Sequence, residues 1–297
     1  NEPRGRHRVA IHSFVLPILR RSFPHSSSVH CPPTSDERTR IPAVPMADPH
    51  TESGREGMRI NKFIAHAGVC SRRDADDLVE QGRVAVDGET VTEHGTRVRE
   101  GQRVTVDGEE IHLRAFEYLL LNKPKDTIST TDDPKNRDTV LSVIGVPDEN
   151  PSGLFPAGRL DRNTTGVLLL TNDGDLAHRL MHPRFEVSKI YFVRTQDPVK
   201  PHQIDRLRRG VELDDGTARA DRVTYIRPDE QTDIAVELHE GRNRQIRRMM
   251  EAMGHRIKQL DRVKYAGLTT GTLQRGQWRR LGDDEVTRLR QRVALPG

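Results

Sequence analysis

One polar loop in the sequence carries a side chain that could do chemistry. The segment Gly158-Arg-Leu-Asp-Arg-Asn-Thr-Thr-Gly166 is bounded by glycines and leads into the apolar run 167–171, which is typical of a buried strand. A carboxylate on a loop that a rigid strand supports can act as a general base or as a nucleophile. Asp161 is therefore the candidate catalytic residue. The alternative, which these residues favour when they are taken alone, is an aspartate that only stabilises a turn by bonding to its own backbone.

The elements that must position this loop are strands and helices of uneven length. In the second part of the chain, one helix is predicted over 175–181, ended by Pro183, and a basic helix from about 243 to 253, ended by Gly254. Apolar runs predict strands at 118–121, 167–171, 190–193 and 234–238. This order favours an α+β fold over a regular βαβ repeat.

A smaller unit precedes this part of the chain. Apolar residues at helical spacing over 60–67 predict one helix, and Ser71 with Asp74 has the spacing of a capping box that opens a second one. The alternating runs 84–86 and 104–106 are each followed by Asp-Gly, which predicts strands that end in tight turns. Two helices and a small sheet, ending near Arg114, are expected.

Composition excludes several classes of protein. Two cysteines, Cys31 and Cys70, cannot form a disulfide framework, so we expect a reduced, cytosolic (cytoplasmic) protein. No run approaches eighteen apolar residues, so we expect no membrane-spanning segment. His178 and His182 are four residues apart, but no third ligand is evident, and no metal site is expected.

Residues 1–57 are rich in Arg, Pro, Ser and His and are expected to be a disordered extension. Their first part has the composition of a transit peptide. We favour another interpretation, in which this segment is upstream sequence translated from a misplaced start. The chain begins with Asn, and Met46 and Met58 precede the first ordered pattern.

Net charge is only +4, so the distribution of basic residues matters more than their sum. In the helical pair a set of basic side chains lies off the apolar positions, and it could bind phosphates or form an ordinary solvated surface; its members are Arg59, Lys62, Arg72, Arg73 and Arg83. Arg72 and Arg73 also lie at a helix N-terminus, which favours anions.

Residues 58–105 resemble the S4 RNA-binding domain. The similarity is carried by Arg59-Ile-Asn-Lys-Phe-Ile-Ala-His-Ala-Gly68, Ser71-Arg-Arg-Asp-Ala75 and Gly82-Arg-Val-Ala-Val-Asp-Gly88. In that family the two helices present basic side chains to structured RNA. The resemblance therefore implies RNA binding by the five basic residues named above.

The later segments resemble the pseudouridine synthases that also carry an S4 domain, which comprise type A (small ribosomal subunit) and types B, E and F (large ribosomal subunit). Gly158–Gly166 looks like their signature, Leu121-Asn-Lys-Pro124 like their opening motif, Lys189-Ile-Tyr191 like their Lys-x-Tyr motif, and Gly241-Arg-Asn-Arg-Gln-Ile-Arg-Arg-Met249 like their third motif. The motifs occur in the family order over about residues 58–290, and Gly241-Arg-Asn-Arg244 looks nearest to type B.

The resemblance implies a role for each matched residue. Asp161 takes the position of the family's essential aspartate, Arg247 that of its guanidinium partner, and Tyr191 that of the tyrosine that packs on the target base. Ile246 would contact the base from below, and Arg159, Lys189 and Arg244 would bind substrate. A carboxylate in a site that excludes water needs a cation to stay charged. Three alternatives stay open, in which Arg247 belongs to a solvated helix face and Tyr191 and Ile246 belong to the core.

The reaction that the resemblance implies breaks a glycosidic bond and rejoins the same base through carbon, so no cofactor is expected. The predicted protein has an α+β fold, with an S4 (α-L) domain over 58–114 and a catalytic domain over 118–292 whose mixed, mainly antiparallel sheet is flanked by helices. It acts on ribosomal RNA, in the 23S molecule, as a monomer. The alternatives are a 16S rRNA synthase and a non-catalytic S4-type assembly factor. One departure from the pattern is Asp126, where the family usually has Gly.

Overall fold

The computed structural model describes residues 57–131, 133–135, 137–147, 150, 152–227 and 229–296. The described residues up to Ala115 form one compact unit, and those from Phe116 form another. The expected disordered extension lies outside the described residues except for Gly57. That glycine is buried, and its carbonyl accepts a hydrogen bond from Arg97 Nη1 at 2.9 Å, so it belongs to the folded unit.

The first unit contains the two expected helices, α1 (Ile60–His66) and α2 (Arg72–Glu80). Ser71 Oγ accepts from the Asp74 backbone N–H, as the capping spacing predicts. The strands are β1 (Met58–Arg59), β2 (Val84–Val86), β3 (Glu89–Val91), β4 (Arg97–Val98), β5 (Val104–Val106) and β6 (Glu109–Ile111). The order β3-β2-β5-β6 gives an antiparallel sheet, and β1 pairs with β4.

The hairpin turns and the hydrophobic core of this unit follow from the sequence pattern. Asp87-Gly88 and Asp107-Gly108 both have positive φ at each residue, which is the backbone that tight hairpins require. Ile60 and Ile64 of α1 pack with Ala75 and Val79 of α2 against the inward valines of the sheet. Each helix buries its apolar face in this small core and keeps its polar face in water.

The second unit is built on one mixed sheet. Its strands are β7 (Tyr118–Lys123), β8 (Phe155–Pro156), β9 (Thr165–Thr171), β10 (Lys189–Thr195), β13 (Arg222–Tyr225), β14 (Asp233–Leu238), β15 (Ile257–Tyr265) and β16 (Trp278–Arg280), and a separate hairpin contains β11 (Val211–Leu213) and β12 (Gly216–Ala218). The order is β13-β14-β10-β15-β9-β7-β16, with β8 also on β9. All pairs are antiparallel except β15 with β9.

Helices cover both faces of this sheet. They are α3 (Val140–Val143), α4 (Gly174–Met181), α5 (Pro201–Arg209), α6 (Gln245–Glu251) and α7 (Asp283–Arg292), with a 3-10 turn at Pro183–Phe185. Alternate residues of β9 lie in different cores: Val167 and Leu169 pack with α4 and α7, and Leu168 and Leu170 pack with α3. Burial on both faces explains why this strand is continuously apolar. A third core lies between β10, β14 and helices α5 and α6.

These observations confirm the predicted α+β class and the mixed, mainly antiparallel sheet. Two details of the sequence-based prediction are wrong. The basic helix begins at Gln245 rather than near 243, because Arg244 adopts a left-handed backbone with φ of 49°, and it ends at Glu251. Strand β15 was not foreseen at all. Within the described ranges, no helix has the length and apolar character needed to cross a membrane.

Candidate active site

Asp161 lies on the loop between β8 and β9, and a buried lysine holds that loop in place. Lys123, at the end of β7, is fully buried, and its Nζ donates to the carbonyls of Asp161 at 3.3 Å, Arg162 at 3.2 Å and Thr164 at 3.1 Å. Burial lowers the pKa of Lys123 to about 8, against the attraction of the Asp161 and Asp126 charges. One side chain thus binds three carbonyls of the irregular loop, and the Asp161 carbonyl also accepts from the Thr164 backbone N–H at 2.9 Å.

Arg247 of α6 holds the carboxylate of Asp161. Its Nε donates to Asp161 Oδ2 at 3.2 Å, and its Nη2 donates to Thr164 Oγ1 at 3.2 Å. Arg244 Nη1 lies 4.0 Å from the same carboxylate oxygen. Arg247 is only 14% exposed and Asp161 is 31% exposed, so this pair is less screened by water than a surface ion pair.

Arg248 shows that the arginines of α6 have separate roles. It donates to Asp214 at 2.7 Å and to Asp215 at 2.8 Å, both in the turn between β11 and β12. The alternative of a solvated basic face therefore fails for Arg248, which braces a hairpin, and the geometry does not favour it for Arg247. The catalytic role of Arg247 stays a prediction.

The parallel pairing of β15 with β9 sets the distance between the loop and α6. Strand β15 meets β9 at Thr165 and Gly166, directly after the Asp161 loop. Thr165 Oγ1 donates to the buried carboxylate of Asp261 at 2.7 Å, and Arg275 Nη2 lies 2.8 Å from that carboxylate. Because α6 immediately precedes β15 in the chain, this junction places Arg247 beside Asp161.

A cleft of about 510 Å³ opens beside the carboxylate. Its wall includes Asp161 together with Lys189 and Tyr191 of β10 and Arg262 and Tyr265 of β15. Lys189 Nζ donates to the carbonyls of Val187 at 3.1 Å and His239 at 2.7 Å. Burial, followed by repulsion from Arg262, lowers the pKa of Lys189 to about 8. An aromatic ring, a carboxylate and several cations therefore face one space.

Most of the predicted substrate residues lie at this cleft. Arg159, Lys189, Tyr191 and Arg244 line it with Asp161. Ile246 does not line it; it is 6% exposed and packs in the core with β10 and β14, so the core alternative holds for this residue in the structure. Tyr191 is partly buried and also packs against two of the cores, so its ring serves both the core and the cleft.

The predicted RNA-binding side chains lie in the first unit. Arg59, Arg72 and Arg73 are exposed, and Lys62 is half-buried. Arg83 is exposed too, but its guanidinium is engaged by both oxygens of Asp107, at 2.7 Å and 2.5 Å. A phosphate would have to compete with that carboxylate for Arg83, whereas Arg72 and Arg73 project from the first turn of α2.

The unusual aspartate in the opening motif has a local explanation. Asp126 has a φ of 62°, a left-handed backbone that glycine adopts most easily and that aspartate tolerates better than most residues. Its carboxylate lies 3.4 Å from Nε of Arg162, the residue after Asp161. The turn is thus kept, and the substitution adds an ion pair to the loop.

Sequence reasoning missed the residues that support the site from inside. The sequence places Lys123 in a motif but predicts no role for it, and it predicts none for Asp261, Arg262 or Arg275. The available signal is a lysine directly before Pro124, at the end of an apolar strand and the start of a loop. Within the described part of the chain, no group of three or more His, Cys, Asp or Glu side chains could hold a metal ion.

A carboxylate held by an arginine, an aromatic ring and several cations at one cleft are suited to acid–base or nucleophilic chemistry on a nucleic acid. Comparison with known proteins gives the family. Residues 117–252 match the model of RNA pseudouridylate synthase, and residues 58–104 match that of the S4 domain.

This chain aligns with two named relatives over most of their length. Ribosomal large subunit pseudouridine synthase B of Bacillus subtilis is 40% identical over 235 residues, which cover 78% of this chain and 95% of the relative. The protein of the same name from Haemophilus influenzae is 36% identical, over 86% of this chain and 73% of its own. A crystal structure of a pseudouridylate synthase superposes with a TM-score of 0.56 and 27% identity, covering 78% of this chain and 100% of that one. The chain belongs to the S4-containing RNA pseudouridine synthase family.

Proposed function

We propose that this enzyme converts one uridine of the large-subunit ribosomal RNA to pseudouridine, with Asp161 as the catalytic carboxylate and without a cofactor. The observation that carries the proposal is the Asp161 carboxylate, held by Arg247 at 3.2 Å at the wall of a cleft that also contains Tyr191. The choice of the large subunit rests on the relatives from Bacillus subtilis and Haemophilus influenzae, whose names specify that subunit.

The reaction moves a bond within one nucleotide. The N1–C1′ bond breaks, the uracil turns, and a C5–C1′ bond forms; the C5 proton is lost and N1 gains a proton. Oxidation states stay balanced and no group is added, so the chemistry needs no redox or transfer cofactor. The Asp161 carboxylate either attacks C1′ or removes the 2′ proton, and both steps require its charged form. Arg247 stabilises that charge when the bound nucleotide displaces water from the cleft.

Tyr191 and the arginines of the cleft have complementary tasks in this proposal. Moving a base out of its stack costs a few kcal/mol of free energy, and stacking of that base on an aromatic ring offsets part of this cost. Arg159 and Arg244 line the cleft with Asp161, and we expect them to contact the phosphates on either side of the flipped nucleotide. Lys189 holds two carbonyls behind Tyr191 and so fixes the strand that carries the ring.

The experiment that tests the proposal is carbodiimide-primed mapping of pseudouridine on ribosomal RNA from cells with and without the gene. We expect one reverse-transcription stop in the 23S molecule that disappears on deletion and returns with the wild-type gene. A stop that disappears from the 16S molecule would instead establish a small-subunit enzyme. Unchanged stops in both molecules would favour the assembly-factor alternative.

The exposed arginines at the start of α2 should contribute to RNA affinity. We expect the double substitution Arg72→Ala and Arg73→Ala to weaken RNA binding and to reduce the slope of log K against log salt by about 1–2, since each phosphate contact contributes roughly 0.7–0.9. Filter binding between low and moderate salt measures both quantities. The matched control is Arg206→Ala with Arg209→Ala, which removes two exposed charges from α5 in the other unit. Equal slopes for the two double variants would argue against a phosphate site on α2.

A further inference from the structure

Arg262 is a buried guanidinium with donors left over. The side chain is 2% exposed, its Nε donates to the Val167 carbonyl at 2.8 Å, and its guanidinium lies 4.4 Å from the centroid of the Tyr265 ring. Its Nη2 is buried and has no hydrogen-bond partner among the residues that the structure describes. A buried charged donor without a partner is costly, because it has lost its water and gained nothing in return. Such a group points to a ligand.

The position of Arg262 places that ligand in the cleft. On the pleated sheet, Arg262 of β15 is the direct cross-strand partner of Tyr191 of β10, so both side chains lie on one face. Lys189 lies on the same face, two residues before Tyr191 in its strand. All three side chains line the cleft wall with Asp161. A base stacked on Tyr191 would therefore lie against the guanidinium.

Two buried cations share this part of the wall. Arg262 repels the Lys189 ammonium, and this repulsion adds to burial in lowering the pKa of Lys189. The carboxylates whose charges reach Lys189 are Asp221 and Glu240. Asp261, the neighbour of Arg262 in β15, accepts from Thr165 and lies 2.8 Å from Arg275. Two like charges held together in a poorly solvated wall favour an incoming group that carries negative charge.

The reaction generates such a group. When the N1–C1′ bond breaks, its electron pair stays with the uracil, and the negative charge is shared between N1 and the carbonyl oxygens. This is true whether Asp161 attacks C1′ or removes the 2′ proton. The anion then bonds to C1′ through C5. In the first route this bond displaces the Asp161 carboxylate from C1′, and in the second the 2′ proton returns from Asp161 to the sugar. The C5 proton then leaves, and N1 takes up a proton. We propose that Arg262 donates to a uracil carbonyl oxygen and stabilises the departing base as an anion.

This inference rests on the proposed function and adds a residue to it. A phosphate is a less suitable ligand for this guanidinium, because a phosphate would have to lose its hydration to reach a side chain that is only 2% exposed. In the proposed reaction a flat base already enters the cleft to stack on Tyr191. Arginine donates only, so it also favours the O4 of uracil over the N4 amino group of cytosine. Arg262 is thus expected to select the base as well as to assist its departure.

The test compares single-turnover rates on two RNAs, one with uridine and one with 5-fluorouridine at the target. Fluorine stabilises the uracil anion, so the base leaves more easily and depends less on the guanidinium. For Arg262→Met we expect a rate on uridine reduced by roughly 100-fold or more, and a defect on 5-fluorouridine at least tenfold smaller. For Arg262→Lys, which keeps the charge, we expect an intermediate defect with the same substrate dependence. Loss of the starting nucleoside after digestion measures each rate.

The control is Arg290→Met, since Arg290 is another buried arginine, but its donors are engaged by Asp173 and the Pro296 carbonyl. It should lower Tm and reduce both rates by the same factor. Equal defects on the two RNAs for both Arg262 variants would overturn the proposal, and so would an unchanged rate on uridine. If the Arg262 variants change the salt dependence of RNA binding and have equal rate defects on the two RNAs, Arg262 binds a phosphate instead. If wild type fails on every RNA while it binds them, the proposed function fails instead.

Discussion

Replacing Asp161 by asparagine is expected to abolish pseudouridine formation while RNA binding persists. Asparagine keeps the size of the side chain and one oxygen that can accept from Arg247 Nε, which lies 3.2 Å from Asp161 Oδ2. It removes the charge, the nucleophile and the base. Because general acid–base catalysis alone contributes roughly 10²–10⁴-fold, we expect a rate loss of about 1000-fold or more. Release of tritium from RNA labelled at uridine C5 measures the rate under single-turnover conditions.

The matched control for this substitution is Asp284→Asn, an exposed aspartate in the first turn of α7. It changes the net charge by the same amount and should leave the rate within about twofold, since exposed charges contribute little. RNA affinity should stay within the same range for both variants. An Asp161→Asn enzyme that keeps more than a tenth of the wild-type rate would remove Asp161 from the catalytic step. Loss of binding together with activity would indicate a collapsed loop rather than a missing carboxylate.

The strands and helices that carry the site follow local patterns that the sequence shows directly. The apolar run of β9 and the helix α4 after Asp173 were both expected, and Asp173 Oδ1 does accept from the Leu176 backbone N–H at 3.0 Å. These elements are determined by residues that are neighbours in the chain, through periodicity and capping. For the same reason their ends are off by only a few residues.

The contact between Asp161 and Arg247 could not be predicted from such patterns. The two residues are 86 positions apart, and from composition alone Asp161 looked more like a turn residue. Their approach depends on β15 lying parallel to β9, a pairing that no local pattern contains. Only the resemblance to known synthases connected the motifs, because it carries the tertiary structure of other proteins.

Strand β15 could not be predicted from the sequence because its charged residues make it look like a solvated segment. Its sequence, Ile-Lys-Gln-Leu-Asp-Arg-Val-Lys-Tyr, contains four charged residues, yet Asp261 and Arg262 are 1% and 2% exposed. Charged residues normally indicate a solvated segment. Here Asp261 is compensated by Thr165 and Arg275, whereas Arg262 is compensated only in part, by the Val167 carbonyl and the Tyr265 ring. Buried charged residues of this kind are expected at functional sites, where residues needed for function depart from the usual burial pattern.

The junction of β9 and β15 should tolerate no side chain larger than a hydrogen at Gly166. This residue has a φ of 106°, and a Cβ built on it would lie 2.3 Å from the Arg262 carbonyl oxygen and 2.7 Å from Asp261 Oδ1. The nearest obstacle is backbone, so it cannot rotate away. We expect Gly166→Ala to lower the free energy of unfolding by about 3 kcal/mol or more, since overpacking and a left-handed non-glycine residue each cost about 1–3 kcal/mol.

The same substitution should lower activity by more than the unfolded fraction explains. To make room, β15 must move away from β9, which separates Asp261 from Thr165 and withdraws α6, with Arg247, from Asp161. Urea unfolding and the tritium assay at a temperature where the variant is folded measure the two effects. The control is Gly174→Ala at the exposed start of α4, where a Cβ meets nothing within 4 Å and φ is not positive. That variant should match wild type or gain a few tenths of a kcal/mol. Equal stability for both variants would mean that the junction is soft and that the close approach at Gly166 does not hold the active site together.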